Sequence, residues 1–227
     1  MKSADYVLAA INVSKSFGSY RVLRTLSLSF VAKEIVLLLG ANGAGKSTLL
    51  RLLAGLSRAD QGEVLRARET RVGFTSHHHF SYGQLTVREN LELCRKLSGC
   101  KADAVDKALE RWGLLKFSNK ALTELSKGNQ AKVSIARALM ADPETLLLDE
   151  PSSNLDERST ELLTSVIRER AAAHGLVVIA THDLHRLRGI ATRVVAMAQG
   201  EIVADTGPFA ARERIDDVIE RYRESNR

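Results

Sequence analysis

Two stretches of this sequence have the residue types and spacing that chemistry on a phosphorylated ligand requires. Gly40-Ala-Asn-Gly-Ala-Gly45-Lys46-Ser47 fits the pattern of a phosphate-binding loop. Gly40, Gly43 and Gly45 let backbone N–H groups converge on phosphate oxygens at a helix N-terminus, with Asn42 at the tip and Thr48 just inside the helix. Lys46 adds a point charge at the terminal phosphates, and the Ser47 hydroxyl suits a hard cation such as Mg²⁺. The second stretch is Thr145-Leu-Leu-Leu148-Asp149-Glu150, an apolar run that ends in two carboxylates. Asp149 is expected to hold Mg²⁺ through water, and Glu150 to orient an attacking water and accept its proton. Alone, that pair also fits an ordinary capped strand end. Leu125-Ser126-Lys127-Gly128-Asn129-Gln130 reads by itself as a Ser-capped helix start.

These groups work together only if the chain delivers them to one place. The loop follows the strand-like run Ile35 to Leu39 and precedes the apolar-periodic stretch Lys46 to Leu56. Leu176 to Thr181 followed by Leu184 to Ala191 repeats the alternation. Buried-strand runs alternating with amphipathic helices predict an α/β fold, a P-loop NTPase core with a mostly parallel sheet whose C-terminal edge takes the loop and the carboxylates. The start of the chain differs: β-rich Tyr6 to Val13 and Ser27 to Phe30, with a turn at Gly18-Ser19, predict an antiparallel β-subdomain. Between about Leu85 and Ala141 three helical patterns follow one another, Val87 to Leu97, Ala104 to Trp112 and Gly128 to Met140. They predict an α-helical subdomain over 77–141, inserted in a nucleotide-binding core of 1–76 and 142–227, within one domain, 1–227. The mixed charges from Arg212 to Arg227 read as a solvated helix face without a function.

With 44% apolar and 26% charged residues, the 227-residue chain has the makeup of a soluble globular protein. Its longest apolar runs are about five residues, against roughly 20 for a membrane-spanning helix. The first residues, Met-Lys-Ser-Ala-Asp-Tyr, have no signal-peptide pattern, and a cytoplasmic location is expected. Cys94 and Cys100 match neither a zinc nor a redox spacing and read as free thiols. The net charge of +6 comes from residues 1–58, with eight Lys/Arg against Asp5 and Glu34. No basic run or Cys/His module points to nucleic acid, and an anionic ligand at the Gly-rich loop accounts for the asymmetry.

Phosphate loop, Ser126-x-Gly128 before a helix, Asp149-Glu150-Pro151, Ser153-Asn154-Leu155-Asp156 and Ala180-Thr181-His182-Asp183 occur in the order of the ATP-binding cassette (ABC) ATPases. The resemblance covers about residues 6–207. It implies ATP and Mg²⁺ as cofactors, and a head-to-tail dimer in which Ser126 and Gly128 of one copy meet the γ-phosphate held by a second copy. It further implies that Asp156 lies in the loop crossing that interface, that His182 is a switch histidine facing the γ-phosphate, and that Phe17 stacks on adenine.

The sequence departs from the family in three places. Most members have Gln eight residues before the Leu of a Leu-Thr-Val-x-Glu-Asn segment, here Leu85 to Asn90, and counting back gives His77. Imidazole is a poor ligand for Mg²⁺, so His77 is expected to reach the metal through a bound water, or to touch the nucleotide indirectly. A transition-metal site at His77-His78-His79 is the alternative. Lys127 and Asn129 replace the usual Gly and Gln, and Lys33 stands where many members have Gly. The resemblance implies the motor of a transporter, peripheral on the inner face of the cell membrane, with the membrane-spanning subunits on other chains. The His at the Gln position and the compact length look similar to haem-exporter ATPases of cytochrome c maturation, with drug and polysaccharide exporters as rivals, so export is expected. The other classes are a soluble cassette acting on nucleic acid or ribosomes and a regulator without turnover.

Overall fold

The alternation of strand and helix periods becomes two sheets in a computed structural model that describes residues 6–67, 70–76, 82–182 and 187–224. Strands β1 (Leu8–Phe17) and β2 (Tyr20–Phe30) form a hairpin paired from Leu8↔Phe30 to Phe17↔Tyr20. Its two-residue turn is Gly18-Ser19, with Gly18 at φ 60°, the positive φ that such tight turns require. A strand between residues 61 and 66, β4 (Gln61–Arg66), pairs antiparallel on the other side of β1. Both hairpin strands outrun their expected ranges. Polar residues and left-handed kinks at Asn12 and Thr25 break the apolar alternation by which strands are read.

The second sheet has the order β5-β6-β7-β3-β8-β9. Strands β3 (Ile35–Leu39), β5 (Val72–Thr75), β6 (Thr145–Asp149), β7 (Leu176–Ala180) and β8 (Arg193–Ala198) run parallel, and β9 (Glu201–Asp205) returns antiparallel to β8. Every residue of β3, β6 and β7 is buried, as in a sheet covered on both faces. The strand period of two divides them between two cores. Ile35, Leu37, Leu39, Leu146, Leu148 and Ile179 face one set of helices. Val36, Leu38, Leu147 and Val178 face the phosphate-loop helix and the antiparallel sheet.

Helix α1 (Lys46–Leu53) follows the Gly-rich loop and stops short of Leu56, where Gly55 turns left-handed at φ 72°. Helix α2 (Val87–Leu97) opens with a capping box: Glu89 N–H donates to Thr86 Oγ1 (3.2 Å), and Thr86 N–H donates to Glu89 Oε2 (2.8 Å). It packs with α3 (Ala104–Arg111) and α4 (Lys127–Met140) through Val87, Leu91, Val105, Leu109 and Val133. A Cβ on Gly73 would stand 2.3 Å from Ala138 O, so only glycine lets α4 lie directly on β5. The two thiols donate into the end of α4, Cys94 to Arg137 O and Cys100 to Met140 O, and both are free.

Helix α5 (Glu157–Ala172) lies between β6 and β7, and α6 (Arg212–Glu224) ends the described chain. The mixed charges of α6 conceal a buried face: Ile215 and Ile219 are in the core and Tyr222 packs against it. Of the expected helix over Leu184 to Ala191, a 3₁₀ turn at Arg188–Ile190 is described, and Leu184 lies outside the described residues. Lys33 adopts φ 68°, the left-handed conformation that favours the family's glycine there. Beside it, Glu34 is 0% exposed and accepts from Val31 N–H (2.7 Å) and Arg193 Nη1 (3.3 Å). Arg193 also donates to Ser29 O (2.8 Å) and Asp205 Oδ2 (2.6 Å), tying the two sheets together. Burial pushes the Glu34 carboxyl above the usual range, against the pull of Val31 N–H and Arg193. No described helix is long and apolar enough to cross a membrane.

Candidate nucleotide site

Parallel strands deliver their C-terminal ends to one edge, and at this edge the chain builds a cleft of about 510 Å³. Asn42, Gly43, Gly45, Lys46, Ser47 and Thr48 line one wall. Gly43 and Gly45 have φ 84° and 101°, a backbone that L side chains rarely adopt, and between them Ala44 N–H closes the turn onto Ala41 O (3.1 Å) ahead of α1. Gly40 lies beneath, where a Cβ would come 2.8 Å from Met197 O. The buried Lys46 ammonium donates to Gly40 O (2.6 Å) and Ala41 O (3.2 Å). Burial draws its pKa below the ordinary lysine value, and the carboxylates of Glu150 and Asp149 oppose that drift.

The facing wall carries Asp149, Glu150 and Ser153, with His182 from the end of β7. Burial raises the Asp149 carboxyl, while its hydrogen bond from the Ser47 hydroxyl acts in the opposite direction. Asp149 and Ser47 therefore form a pair of hard oxygen donors beside a cation, a donor set that fits Mg²⁺. Glu150 sits at φ 50°, a conformation that costs a non-glycine residue about 1–2 kcal/mol. Its N–H donates to Ala180 O (2.8 Å), and His182 Nδ1 lies 2.9 Å from its Oε1. His182 N–H approaches Oε2 at 3.4 Å. The end of β7 thus holds Glu150 in its turn by both main chain and side chain.

The remaining expected residues lie elsewhere. Ser126 caps α4, its hydroxyl accepting from Asn129 N–H (3.3 Å), and Gly128 faces Asn154 O, where a Cβ would stand at 2.7 Å. Asp156 caps α5 through Ser159 N–H (2.8 Å) and pairs with Lys132 (3.3 Å). The Ser159 hydrogen bond, with help from Lys132, holds its carboxyl down at about 2. Ser126, Gly128 and Asp156 therefore stand apart from the cleft wall, linked to it by the segment from Ser153 to Asp156. Phe17 is exposed at the hairpin end with the Lys15 ammonium 5.7 Å from its ring centre, and it does not line the cleft. Its cross-strand partner Tyr20 does, together with Val22. Sequence reasoning passed over Tyr20, although its place just past the Gly18-Ser19 turn was the available signal. His77 lies outside the described residues, as do His78 and His79.

Comparison with known proteins identifies the family. The family described as ABC transporter matches residues 23–153, more than half of the chain. The sulfate/thiosulfate import ATP-binding protein CysA of Thermosynechococcus vestitus is 36% identical over 206 residues, covering 84% of this chain and 61% of that protein. The glutamate/aspartate import ATP-binding protein GltL of Escherichia coli K12 is 37% identical over 213 residues, covering 86% and 88%. The Fe(3+) ions import ATP-binding protein FbpC of Agrobacterium fabrum is 35% identical over 211 residues, covering 87% and 60%. The chain thus spans about three fifths of the length of the sulfate and iron relatives and most of the glutamate/aspartate one. Among solved structures, the dimeric post-hydrolysis state of the ATP-binding cassette MJ0796 bound to ADP and Pi matches with a TM-score of 0.79 at 26% identity, over 90% of this chain and 99% of that one. The ADP conformation of MJ1267, an ATP-binding cassette of an ABC transporter, matches at 0.74 and 25%, over 95% of each. Likeness on this scale, in sequence and in fold, places the chain in the ABC transporter family.

Proposed function

We propose that this chain is the motor subunit of a transporter, a cassette that dimerises over ATP and works on membrane-spanning subunits carried by other chains at the inner face of the membrane. The observation that carries the reading is the meeting of Lys46, Asp149, Glu150 and His182 at one cleft. Lys46 and the loop N–H groups would hold the phosphates, and Ser47 and Asp149 would hold Mg²⁺, which neutralises charge on the phosphates when bound. Glu150 accepts the proton of the attacking water, and His182 fixes the carboxylate that does so. Ser126 and Gly128 open α4 at the surface, where the partner copy's nucleotide would meet them, and Asp156 would lie at the same interface. The N-terminus of α4 then stabilises charge that one copy alone leaves unbalanced.

The expectation of export loses its support, because the named relatives are import subunits. Import is the direction we adopt. Their names give three unrelated cargoes, so no cargo is carried over. Replacing Glu150 with Gln tests the reading: turnover falls by at least about 100-fold, a loss in the range of removing a general base, while ATP binding remains and a dimer accumulates on size exclusion. Retained hydrolysis would put the base elsewhere.

A further inference from the structure

A second, much smaller recess lies behind the carboxylates. Thr75, Ser76, Ser134, Asp149, Glu150 and Asn154 are among its walls. It measures about 20 Å³, room for one water molecule and for no nucleotide or larger ligand. Three elements converge on it for reasons visible in the backbone. Gly73 lets α4 lie on β5 at Ala138, and Thr75, two residues on, is on the same face of the strand and lines the recess with Ser134 and Ala131, about one and two turns earlier on α4. In the neighbouring strand Thr75 pairs with Leu148, the residue before Asp149.

The chemistry of Thr75 is out of balance. It is 4% exposed, and its Oγ1 has no hydrogen-bond partner among the described residues. A buried hydroxyl left unsatisfied costs about 1–3 kcal/mol, and such groups in a polar recess of this size are ordinarily met by a water with two to four partners. Ser134, buried on α4, and the carboxylates of Asp149 and Glu150 offer those further partners. We propose that this recess is a binding site for one ordered water, held by Thr75 Oγ1, that ties the end of β5 and the helix α4 to the Asp149-Glu150 pair. Thr75 is then a positioning residue: it touches neither nucleotide nor attacking water and acts by steadying the turn in which Glu150 is strained.

The sign of a stability change separates a hydrated recess from a dry one. Thr75→Val keeps the shape and removes the hydroxyl. In a dry recess the variant sheds an unsatisfied polar group, and the melting temperature of the nucleotide-free chain rises by about 3 °C or more. With the water present, it stays level or falls. A high-resolution crystal structure of the wild type is expected to contain a water within hydrogen-bonding distance of Thr75 Oγ1, and that of Thr75→Val to lack it. If the water steadies Glu150, turnover of Thr75→Val drops about fivefold, a hydrogen bond's worth, with ATP affinity changed less than twofold and Thr75→Ser close to wild type. A raised melting temperature, or a recess without water, overturns the site. Unchanged turnover in Thr75→Val overturns the coupling to the carboxylates. Because melting and crystallography need no hydrolysis, a failure of the water site is distinguishable from a failure of the proposed motor function.

Discussion

Asp156 offers a perturbation that separates the fold of this cassette from its proposed pairing with a second copy. Its carboxylate accepts from Ser159 N–H and pairs with Lys132, and these contacts lower its pKa from 3.8 to about 2. Taken at face value, that depression corresponds to about 2.4 kcal/mol of native-state stability. The side chain is 64% exposed, and solvent screening brings the figure to about 1 kcal/mol, in line with the usual loss when an N-cap becomes alanine. Asp156→Ala should therefore lower the melting temperature by about 2–4 °C at neutral pH. Asp156→Asn keeps a cap of equal quality and loses only the ion pair, so it should cost a few tenths of a kcal/mol at most. The sign with pH follows from a depressed carboxylate: its stabilisation is complete above the unfolded value of 3.8 and disappears as pH falls through about 2. Urea unfolding of wild type and Asp156→Ala should give a gap that is constant from pH 8 to pH 5 and narrows only below about pH 4. A gap that closes between pH 8 and pH 5, or an Asn variant as damaged as the Ala variant, would refute this account of the cap. A stable Asp156→Asn that loses ATPase activity would then support the proposed place of Asp156 at an interface with a second copy.

Lys46→Ala should weaken ATP binding by at least about 10-fold in a fluorescence titration, since the phosphates lose a charge-assisted donor. Arg193→Ala should be among the most damaging single changes, about 3–5 kcal/mol by urea unfolding, because it strands the buried Glu34. Adding Glu34→Gln to it should recover part of that loss. Phe17→Ala and Tyr20→Ala separate the two aromatic residues at the hairpin end: the residue that carries the adenine should weaken ATP about 5- to 100-fold and leave tripolyphosphate binding unchanged. The cleft lining favours Tyr20.

Local chemistry was legible in the sequence. Ile35–Leu39 is read as a strand because five apolar residues run together before a glycine, and Val87–Leu97 as a helix because a capping Thr86 and Glu89 precede its apolar period. The Gly-rich loop between strand and helix, and two carboxylates after Leu148, announce a phosphate site by residue type and spacing alone. The helical run between β5 and β6 was likewise visible, since strand signals are missing there. Where the period was interrupted, the reading fell short, as at Asn12 and Thr25 in the hairpin strands and in α6, whose charges masked Ile215 and Ile219.

Tertiary structure alone decided what the local signals leave open. No periodicity specifies that β3 lies between β7 and β8, or that β6 lies beside β7, yet this order sets His182 against Glu150 across 32 residues of chain. It also sets Arg193 on Glu34 across 159 residues. Tyr20 enters the cleft only because a separate antiparallel sheet packs on the second core of the parallel one. Thr75 shares a recess with the carboxylates where a glycine two residues earlier admits a helix backbone. The physical reason is common to all four. A residue's neighbours along the chain fix its backbone conformation, whereas strand order and the seating of one layer on another are chosen by which complete arrangement buries both faces of the sheet and leaves its polar groups paired.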